Sequence, residues 1–401
     1  MGKRVLAINL GWEQERLVRL LVEEGCKVIG VHPDDRHAQD LGVARVERLD
    51  TRDIERLLRL ARDAKVDAVV CDQDDYAYFS SAVICEALNL PGPRVREAQI
   101  ATNKYWQRQA AQAAGIRQPS FQLCNCVEDA RVAAERLGYP VIVKPVDNRG
   151  SFGVSPVESE HALTEACHYA ITYAHSRMFL VERYIPGTNI IIDGYVFPQT
   201  GHRSLALGSK TMSRAAPYLA QDIAYPGLLP RQAYDKAIRT HDNVVKALGF
   251  RFGMTSGEYI VDDEGEVWLV EVANRGGGVL IAPVIVPAIS GIDVTRQLIF
   301  DALGIERDLS TDSPTGQPAH AAYLKYFMLP AGRVASVRGL DRAGAVPGVA
   351  ALKFLGKAGQ AINEARHAGD RQGLVITFGG SLEEAQARAA AVMEAIEFAY
   401  A

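Results

Sequence analysis

The sequence predicts a mixed α/β and α+β protein, and three observations indicate this fold class. Apolar strands alternate with helices over residues 3–100, which is typical of a parallel sheet covered by helices on both faces. Two apolar segments joined by a tight turn predict a β-hairpin within residues 258–278. Short strands followed by a terminal helix, predicted at 383–398, indicate a small α+β domain within residues 319–400.

The N-terminal segment has the pattern of a complete α/β unit. Alternating strands and helices are predicted in the order strand 4–10, helix 13–24, strand 26–32, helix 53–64, strand 68–71 and helix 80–88. The first strand–helix turn, residues 9–12, lacks the G-x-G-x-x-G pattern, so no dinucleotide site is predicted there. The sequence Leu-Pro-Gly-Pro at 90–93 interrupts regular structure and indicates a domain end near residue 96.

Length and composition predict a globular protein of two or three domains. Its 401 residues are 48% apolar and 23% charged, with a net charge of −4, which predicts no binding to nucleic acid or to an anionic membrane. No window approaches the roughly 20 apolar residues of a membrane span. The N-terminus has the pattern of a first strand and not of a signal peptide, so we expect a cytoplasmic location. The six cysteines lack metal-binding spacing and are expected to be reduced.

A lysine ends the apolar strand predicted at 139–145, and a glycine-bearing loop follows it. Lys144 is out of place in a protein core and needs an anionic partner. The loop 149–153 offers backbone N–H groups, which suit a phosphate. Taken alone, Gly150 and Gly153 are more typical of a plain β-turn. This motif therefore gains weight only in combination with others.

The predicted hairpin carries one glutamate on each strand among apolar residues. If the turn has an even number of residues, Glu258 faces Leu269, and Glu271 lies one diagonal step away at roughly 7–8 Å. Two carboxylates at one spot need a counter-charge, which Mg²⁺ with phosphate oxygens would supply. Arg275 and the three glycines after it would let an anion approach the backbone. A surface hairpin with two solvated glutamates is an equally weighted alternative.

Two further charged residues lie on strands predicted between the glycine loop and the hairpin. Glu182 lies within the strand 178–184, and Lys210 ends the segment 205–210. The sequence around Lys210, Gly-Ser-Lys-Thr, lacks the G-x-x-x-x-G-K spacing of a P-loop. Each motif is weak by itself, but the order in which they follow Lys104 along the chain is much more specific.

In this order the motifs resemble the ATP-grasp superfamily, specifically carboxylate–amine ligases of the L-amino-acid (dipeptide) ligase type. The resemblance covers nearly the whole chain. It implies an ATP-grasp fold with an N-terminal Rossmann-like (preATP-grasp) domain at 1–96, ATP-grasp central and ATP-binding subdomains at 97–310, and a C-terminal α+β domain at 318–401. The lid would span about residues 120–190, and residues 310–317 would form a linker.

The resemblance also implies a role for each residue of these motifs. The ATP-binding residues would be Lys104, Lys144, Arg149, Gly150, Ser151, Phe152, Gly153, Glu182, Arg183, Tyr184, Ile185, Asn189 and Lys210. Glu258 and Glu271 would bind Mg²⁺, for which Mn²⁺ could substitute. The catalytic residues would be Lys210 and Arg275. The substrate would be bound by Arg275, Gly276, Gly277 and Gly278.

Three positions depart from the family pattern. The usual Glu-x-Asn-x-Arg motif reads Glu-Val-Ala-Asn-Arg at 271–275, so Ala273 occupies a metal-binding Asn position and the number of Mg²⁺ ions, one or two, stays open. Asn274 points to the opposite face by strand alternation. Asn189 replaces a glutamate that usually binds ribose, and Gln221 replaces a glutamate in a substrate motif.

The implied activity is that of a biosynthetic ligase that forms a C–N bond and releases ADP. ATP would convert a small carboxylate into an acylphosphate, which an amine would attack to give an amide or peptide bond and free phosphate. Loops at 150–153 and 212–225 would act as lids that exclude water. A homodimer is the expected assembly. Two alternatives stay open, namely a ligase or carboxylase acting on a non-amino-acid metabolite and a non-catalytic ATP-binding regulatory protein.

Overall fold

The computed structural model of the chain describes residues 2–34, 41–307, 309, 319–357 and 359–401. The linker expected at 310–317 lies outside these residues. Within them, no single helix has the length and apolar character to cross a membrane. One helix pair, 281–290 with 294–302, passes the same criteria only together and is bent by 112° at its break.

The first domain is a parallel four-stranded sheet with strand order β3-β2-β1-β4. Its elements, in chain order, are β1 (Arg4–Ile8), α1 (Glu15–Glu23), β2 (Lys27–His32), β3 (Arg45–Arg48), α2 (Ile54–Ala64), β4 (Ala68–Val70) and α3 (Asp75–Ala87). The strands are almost wholly apolar because both faces of the sheet are covered by helices. Asp53 and Asp74 begin α2 and α3 by accepting backbone N–H groups of the first helical turn.

Two helices connect this domain to a small antiparallel sheet with strand order β5-β8-β6-β7. These elements are α4 (Val95–Thr102), α5 (Lys104–Ala113), β5 (Phe121–Cys124), α6 (Val127–Leu137), β6 (Val141–Pro145), β7 (Ser155–Val157), α7 (Glu160–Tyr173) and β8 (Phe179–Arg183). Helices α6 and α7 cover one face, where Val141, Val143 and Val181 are buried. The alternate residues Lys144 and Glu182 therefore occupy the other face.

A large eight-stranded sheet of order β13-β12-β9-β10-β11-β14-β18-β16 forms the centre of the molecule. Its elements before the C-terminal domain are β9 (Thr188–Phe197), β10 (Gly201–Met212), β11 (Ala220–Tyr225), α8 (Arg231–Leu248), β12 (Gly253–Val261), β13 (Val267–Ala273), α9 (Val286–Ser290) and α10 (Val294–Ala302). A π-helical turn, Ile281–Ile285, leads into α9. This turn and α9 pack on one face of the sheet, with Ile191 and Tyr195 in the core between them.

The C-terminal part extends the large sheet and adds a three-stranded sheet of order β17-β15-β19. Its elements are β14 (Ala321–Phe327), β15 (Gly332–Arg338), α11 (Leu340–Gly344), β16 (Val349–Phe354), β17 (Ala361–Ile362), β18 (Gly373–Gly379), α12 (Leu382–Ala395) and β19 (Glu397–Tyr400). The prediction of one helix over 383–398 is wrong at its end, because α12 stops at Ala395 and β19 pairs with β15. Phe398 then packs on Phe354, which favours the strand.

Candidate functional site

Lys104 is the first residue of α5, and the cap of that helix sets its position. The side chain of Asn103 accepts the backbone N–H groups of the next two residues after Lys104, which begins the helix there. The Lys104 ammonium lies 2.8 Å from a carboxylate oxygen of Glu271 and donates to the carbonyl of Asn148 at 2.6 Å. One lysine thus joins the hairpin to the loop that precedes the glycines.

Lys144 and Glu182 form a buried charge cluster with an arginine that sequence analysis missed. Both carboxylate oxygens of Glu182 are engaged, one with Arg108 at 2.8 Å and the other with Lys144 at 2.8 Å. Burial alone would raise the pKa of Glu182, but the two cations outweigh it and the pKa is lowered. Burial lowers the pKa of Lys144, with Glu182 opposing that shift. The role of Glu182 in binding ATP remains a prediction, and in this structure its carboxylate binds two cations.

Arg108 also contacts the hairpin at a β-bulge. Its guanidinium donates to the carbonyl of Val270 at 2.8 Å. Val270 is an extra residue on β13, so that Glu258 pairs directly with Glu271, while Tyr259 pairs with Leu269. The prediction that Glu258 faces Leu269 is therefore wrong. The turn between Val261 and Val267 has an odd number of residues, and β13 also contains a β-bulge. No local signal in the sequence marked Arg108, because an arginine on a helix is common.

The β-bulge brings the two hairpin carboxylates closer together than predicted. Directly opposite residues have Cβ atoms about 4.5–5.5 Å apart. Glu258 lies 2.6 Å from the ammonium of Lys210, as Glu271 does from Lys104 at 2.8 Å. Burial alone would raise the pKa of Glu271, but the charge of Lys104 and its hydrogen bond lower it to about 2. Both carboxylates are thus paired with lysines that the resemblance assigns to ATP binding.

The carboxylate oxygens at the hairpin fit a Mg²⁺ whose remaining ligands come from a nucleotide. In the described parts of the chain, no three His, Cys, Asp or Glu side chains cluster to hold a metal by themselves. Carboxylate oxygens are nevertheless the ligands Mg²⁺ prefers, and it commonly completes its shell with phosphates and water. Glu258 and Glu271 would be the protein ligands. Ala273 adds no oxygen, and Asn274 instead bonds Tyr78 and the carbonyls of Phe252 and Met254.

The glycine stretch Gly276–Gly278 lies against the first domain. Arg275 makes two bonds to Asp75, at 2.7 and 3.2 Å, and Asp72 accepts the N–H of Gly276 at 3.1 Å. A Cβ on Gly276 would stand 2.5 Å from Asp72. A Cβ on Gly277 would stand equally close, 2.5 Å, to Asp193. Glycine is therefore needed at both positions because acidic side chains approach the backbone there.

Two buried acids, Asp72 and Asp193, and the half-buried Glu13 around this stretch were missed by sequence analysis. Burial raises the pKa of Glu13, that of Asp72 to about 6 and that of Asp193 to about 7. Glu13 accepts the backbone N–H of Val279 at 2.6 Å. One oxygen of Asp193 has no hydrogen-bond partner among the residues that the structure describes. An aspartate amid the apolar residues of β9 was the signal that could have revealed it.

A cavity of about 470 Å³ adjoins the charged residues on the side of the first domain. Its lining includes Lys104, Glu271, Ala273 and Arg275, together with Tyr76 and other residues of α3. The cavity is a continuation of the same site, since these residues of the hairpin and of α5 also line it.

The loop Arg149–Gly153 lies closed over this region and is bonded to three other parts of the chain. Arg149 pairs with Asp74 of the first domain at 2.8 Å. The Ser151 hydroxyl donates to the carbonyl of Tyr218 at 3.2 Å, and Gly150 accepts the N–H of Ala368 at 2.8 Å. Positive φ angles of 61° at Gly150 and 75° at Gly153 explain the glycines.

Comparison with known families identifies two domains in this chain. Residues 137–283 match the ATP-grasp domain. The chain therefore contains an ATP-grasp domain. Residues 325–401 match the L-amino acid ligase C-terminal domain 2. These two matches confirm the resemblance that the order of the motifs indicated.

Two curated relatives match this chain over different lengths. An uncharacterized protein of Sinorhizobium fredii is 26% identical over 361 residues, which cover 88% of this chain and 73% of the relative. A D-alanine–D-alanine ligase of Geotalea uraniireducens is 27% identical over 199 residues, or 48% of this chain. That alignment spans 63% of the ligase, less than two thirds of its length.

A solved structure gives a match over the whole chain. The crystal structure of an L-amino acid ligase from Bacillus licheniformis superposes with a TM-score of 0.86 at 22% identity. The superposition covers 100% of this chain and 99% of the other. The expected ATP-grasp fold with mixed α/β content is thus confirmed.

Proposed function

We propose that this chain is an ATP-dependent carboxylate–amine ligase that joins amino acids through an acylphosphate and releases ADP and phosphate. One observation carries the proposal, namely the convergence of Lys104, Lys144 and Lys210 with the carboxylates of Glu258 and Glu271 beneath a closed glycine loop. Relatives that bear the names of amide-forming ligases support the same reaction class.

The lysines would bind the nucleotide phosphates as point charges. Phosphoryl transfer depends on positioning and on neutralising charge more than on a nucleophilic side chain. Lys104 and Lys144 would hold the α- and β-phosphates, and Lys210 would approach the γ-phosphate. Their partners in the present structure, Glu271, Glu182 and Glu258, keep each ammonium aimed at the site. When bound, Mg²⁺ would neutralise phosphate charge beside Glu258 and Glu271.

The acidic residues near the glycine stretch favour an amino acid over a plain carboxylate as substrate. Arg275, whose guanidinium pairs with Asp75, is the cation that would bind a substrate carboxylate or the transferred phosphoryl group. Glu13, Asp72 and Asp193 surround the glycines that follow it. An ammonium group, which an amino acid carries and a simple acid lacks, would favour the ionised form of these carboxyl groups, whose pKa values burial raises.

Closure of the site would protect the intermediate. An acylphosphate is hydrolysed by water, so that the amine must reach it in a site from which water is excluded. The contacts of loop Arg149–Gly153 with Asp74, Tyr218 and Ala368 support this role for the loop. Opening and closing of such a lid admits substrates and releases products.

The experiment measures ADP release by the purified chain with Mg²⁺, ATP and a panel of amino acids and other carboxylates, with mass spectrometry of the products. We expect ADP release that depends on an amino acid and yields a dipeptide. Lys144→Ala and Glu271→Ala should abolish turnover with folding retained by circular dichroism, while the exposed Lys246→Ala on α8 keeps full activity. Near-normal turnover in either site variant, or ATP binding without substrate-dependent ADP, contradicts the proposal.

The remaining expectations belong to the same proposal. We propose a homodimer, a cytoplasmic location and the use of Mn²⁺ in place of Mg²⁺. The proposed domain boundaries are 1–96, 97–310 and 318–401, and the roles of the individual site residues are likewise proposals. Size-exclusion chromatography with light scattering tests the assembly.

A further inference from the structure

A turn of the C-terminal domain, residues 366–371, lies directly on the glycine loop. The imidazole of His367 stacks on the ring of Phe152, with ring centroids 3.9 Å apart and planes inclined by 23°. Tyr173 of α7 meets the His367 ring edge-on at 5.9 Å. Beside this stack, the backbone N–H of Ala368 donates to the carbonyl of Gly150 at 2.8 Å. The two segments are therefore joined by side-chain and main-chain contacts at once.

The turn is itself fixed to the large sheet. The carboxylate of Asp370 accepts the backbone N–H groups of Arg366 and His367 at 2.8 and 3.0 Å, which sets the shape of the turn. Arg371 donates to the carbonyl of Ala220 at 2.6 Å. The Arg371 guanidinium also lies 3.6 Å from the centroid of the Tyr326 ring. His367 thus projects from a support that is anchored outside the small sheet.

The same turn also contacts α7, which covers the small sheet, at a second point. The guanidinium of Arg366 lies over the ring of Tyr169 on α7, 4.3 Å from the centroid. Burial lowers the pKa of His367, which favours the neutral ring at pH 7. A neutral ring can stack on Phe152 without the cost of removing water from a charged group. The contacts of Arg366 and His367 therefore bridge the two parts of the molecule between which ATP would bind.

We infer that His367 is a positioning residue, which holds the glycine loop closed through Phe152 while the acylphosphate awaits the amine. This inference rests on the proposed ligase function. In the coupled reaction, the amine nitrogen attacks the acyl carbon and the acyl–phosphate bond breaks, giving the amide and free phosphate. In an opened site, water attacks the same carbon and returns the carboxylate and phosphate, so that ADP forms without amide.

The activity test compares the ratio of ADP to amide in His367→Ala and His367→Phe. Stacking of two rings is strong enough to change the equilibrium between the closed and open loop about fivefold. We expect His367→Ala to raise the ratio about fivefold, and His367→Phe to restore it because the ring is retained. Phe152→Ala should match His367→Ala, and the double variant should be no worse than either single one. The exposed His161→Ala on α7 is the control and should keep the wild-type ratio.

A second measurement reports closure of the glycine loop independently of catalytic activity. Trypsin cleaves after Arg149 when the loop opens, and the rate follows the population of the open form. With thermal stability unchanged, His367→Ala should release the fragment 1–149 about fivefold faster than wild type, and His367→Phe at the wild-type rate. An unchanged ADP-to-amide ratio or an unchanged cleavage rate in His367→Ala overturns the inference. A wild-type chain with no substrate-dependent ADP overturns the proposed function instead, and the cleavage rates still decide whether His367 holds the loop.

Discussion

Asp193 makes the stability of this protein depend on pH in a way that a single substitution should remove. The residue is 2% exposed and its carboxyl group lies against Gly277. Burial raises the pKa of this group from the ordinary 3.8 to about 7 against the opposing charges of Lys210 and Arg275. Asn has nearly the same shape as Asp but no ionisation. We therefore predict that Asp193→Asn stabilises the protein at pH 8 relative to wild type.

The sign and size of this effect follow from proton linkage. Because the folded pKa lies above the unfolded value, the folded protein retains a proton that the unfolded chain loses. The stabilisation that the Asp193 carboxyl group contributes to the wild type is therefore fully present below about pH 4 and is lost as the pH rises to about 7. Each pKa unit corresponds to roughly 1.4 kcal/mol, so the total loss is up to ~4 kcal/mol. The Asp193→Asn variant should gain that amount relative to wild type over the same interval and no more above it.

The assay is urea unfolding followed by tryptophan fluorescence at several pH values between 4.5 and 8. The shift in midpoint between variant and wild type should grow with pH and then level off. Asp263→Asn, in the exposed hairpin turn, provides a control for the loss of a carboxylate. A difference between Asp193→Asn and wild type that is constant with pH, or that shrinks as the pH rises, would refute the assignment of a raised pKa to Asp193.

Two further substitutions test other parts of the site. Arg108→Met removes a cation from the buried Glu182 and a hydrogen-bond donor from the carbonyl of Val270. We therefore expect urea titration to show a loss of about 3–5 kcal/mol in the free energy of unfolding. A loss below about 1 kcal/mol contradicts this role for Arg108. Ala273→Asn adds an amide oxygen beside Glu271. The Mg²⁺ concentration for half-maximal ADP release should then fall severalfold, and an unchanged value would mean that residue 273 does not reach the metal.

Charged residues that interrupt apolar strands could be found from the sequence because they contradict the local pattern. Lys144 and Glu271 were noticed for this reason, and their order along the chain indicated the ATP-grasp fold, which the family matches confirm. Asp193 breaks the pattern of β9 in the same way and was overlooked. Arg108 lies on a helix, where an arginine is common, so that its complete burial could not be predicted from its neighbours.

The pairing of the hairpin was predicted incorrectly because strand register is not a local property. Val261 pairs with Val267, so the turn has an odd number of residues and not the even number assumed. A β-bulge at Val270 then shifts Glu258 to face Glu271, and the bulge carbonyl accepts a hydrogen bond from Arg108, 162 residues away. Alternation of side chains within one strand predicts which face a residue occupies, but it does not predict which residue lies opposite. The distance between the two carboxylates therefore depended on a contact with a helix elsewhere.

The sequence by itself determined the fold class, the family resemblance and the order of the charged motifs, since these depend on short-range patterns of residues. Only the tertiary structure decided which charges pair. Arg275 binds Asp75, 200 residues away, and His367 reaches Phe152 from a different domain. Such contacts depend on how separate sheets pack on one another, and one sequence without covariation carries no record of that packing. The physical division lies between local backbone preference, which a sequence states directly, and long-range contact, which folding alone establishes.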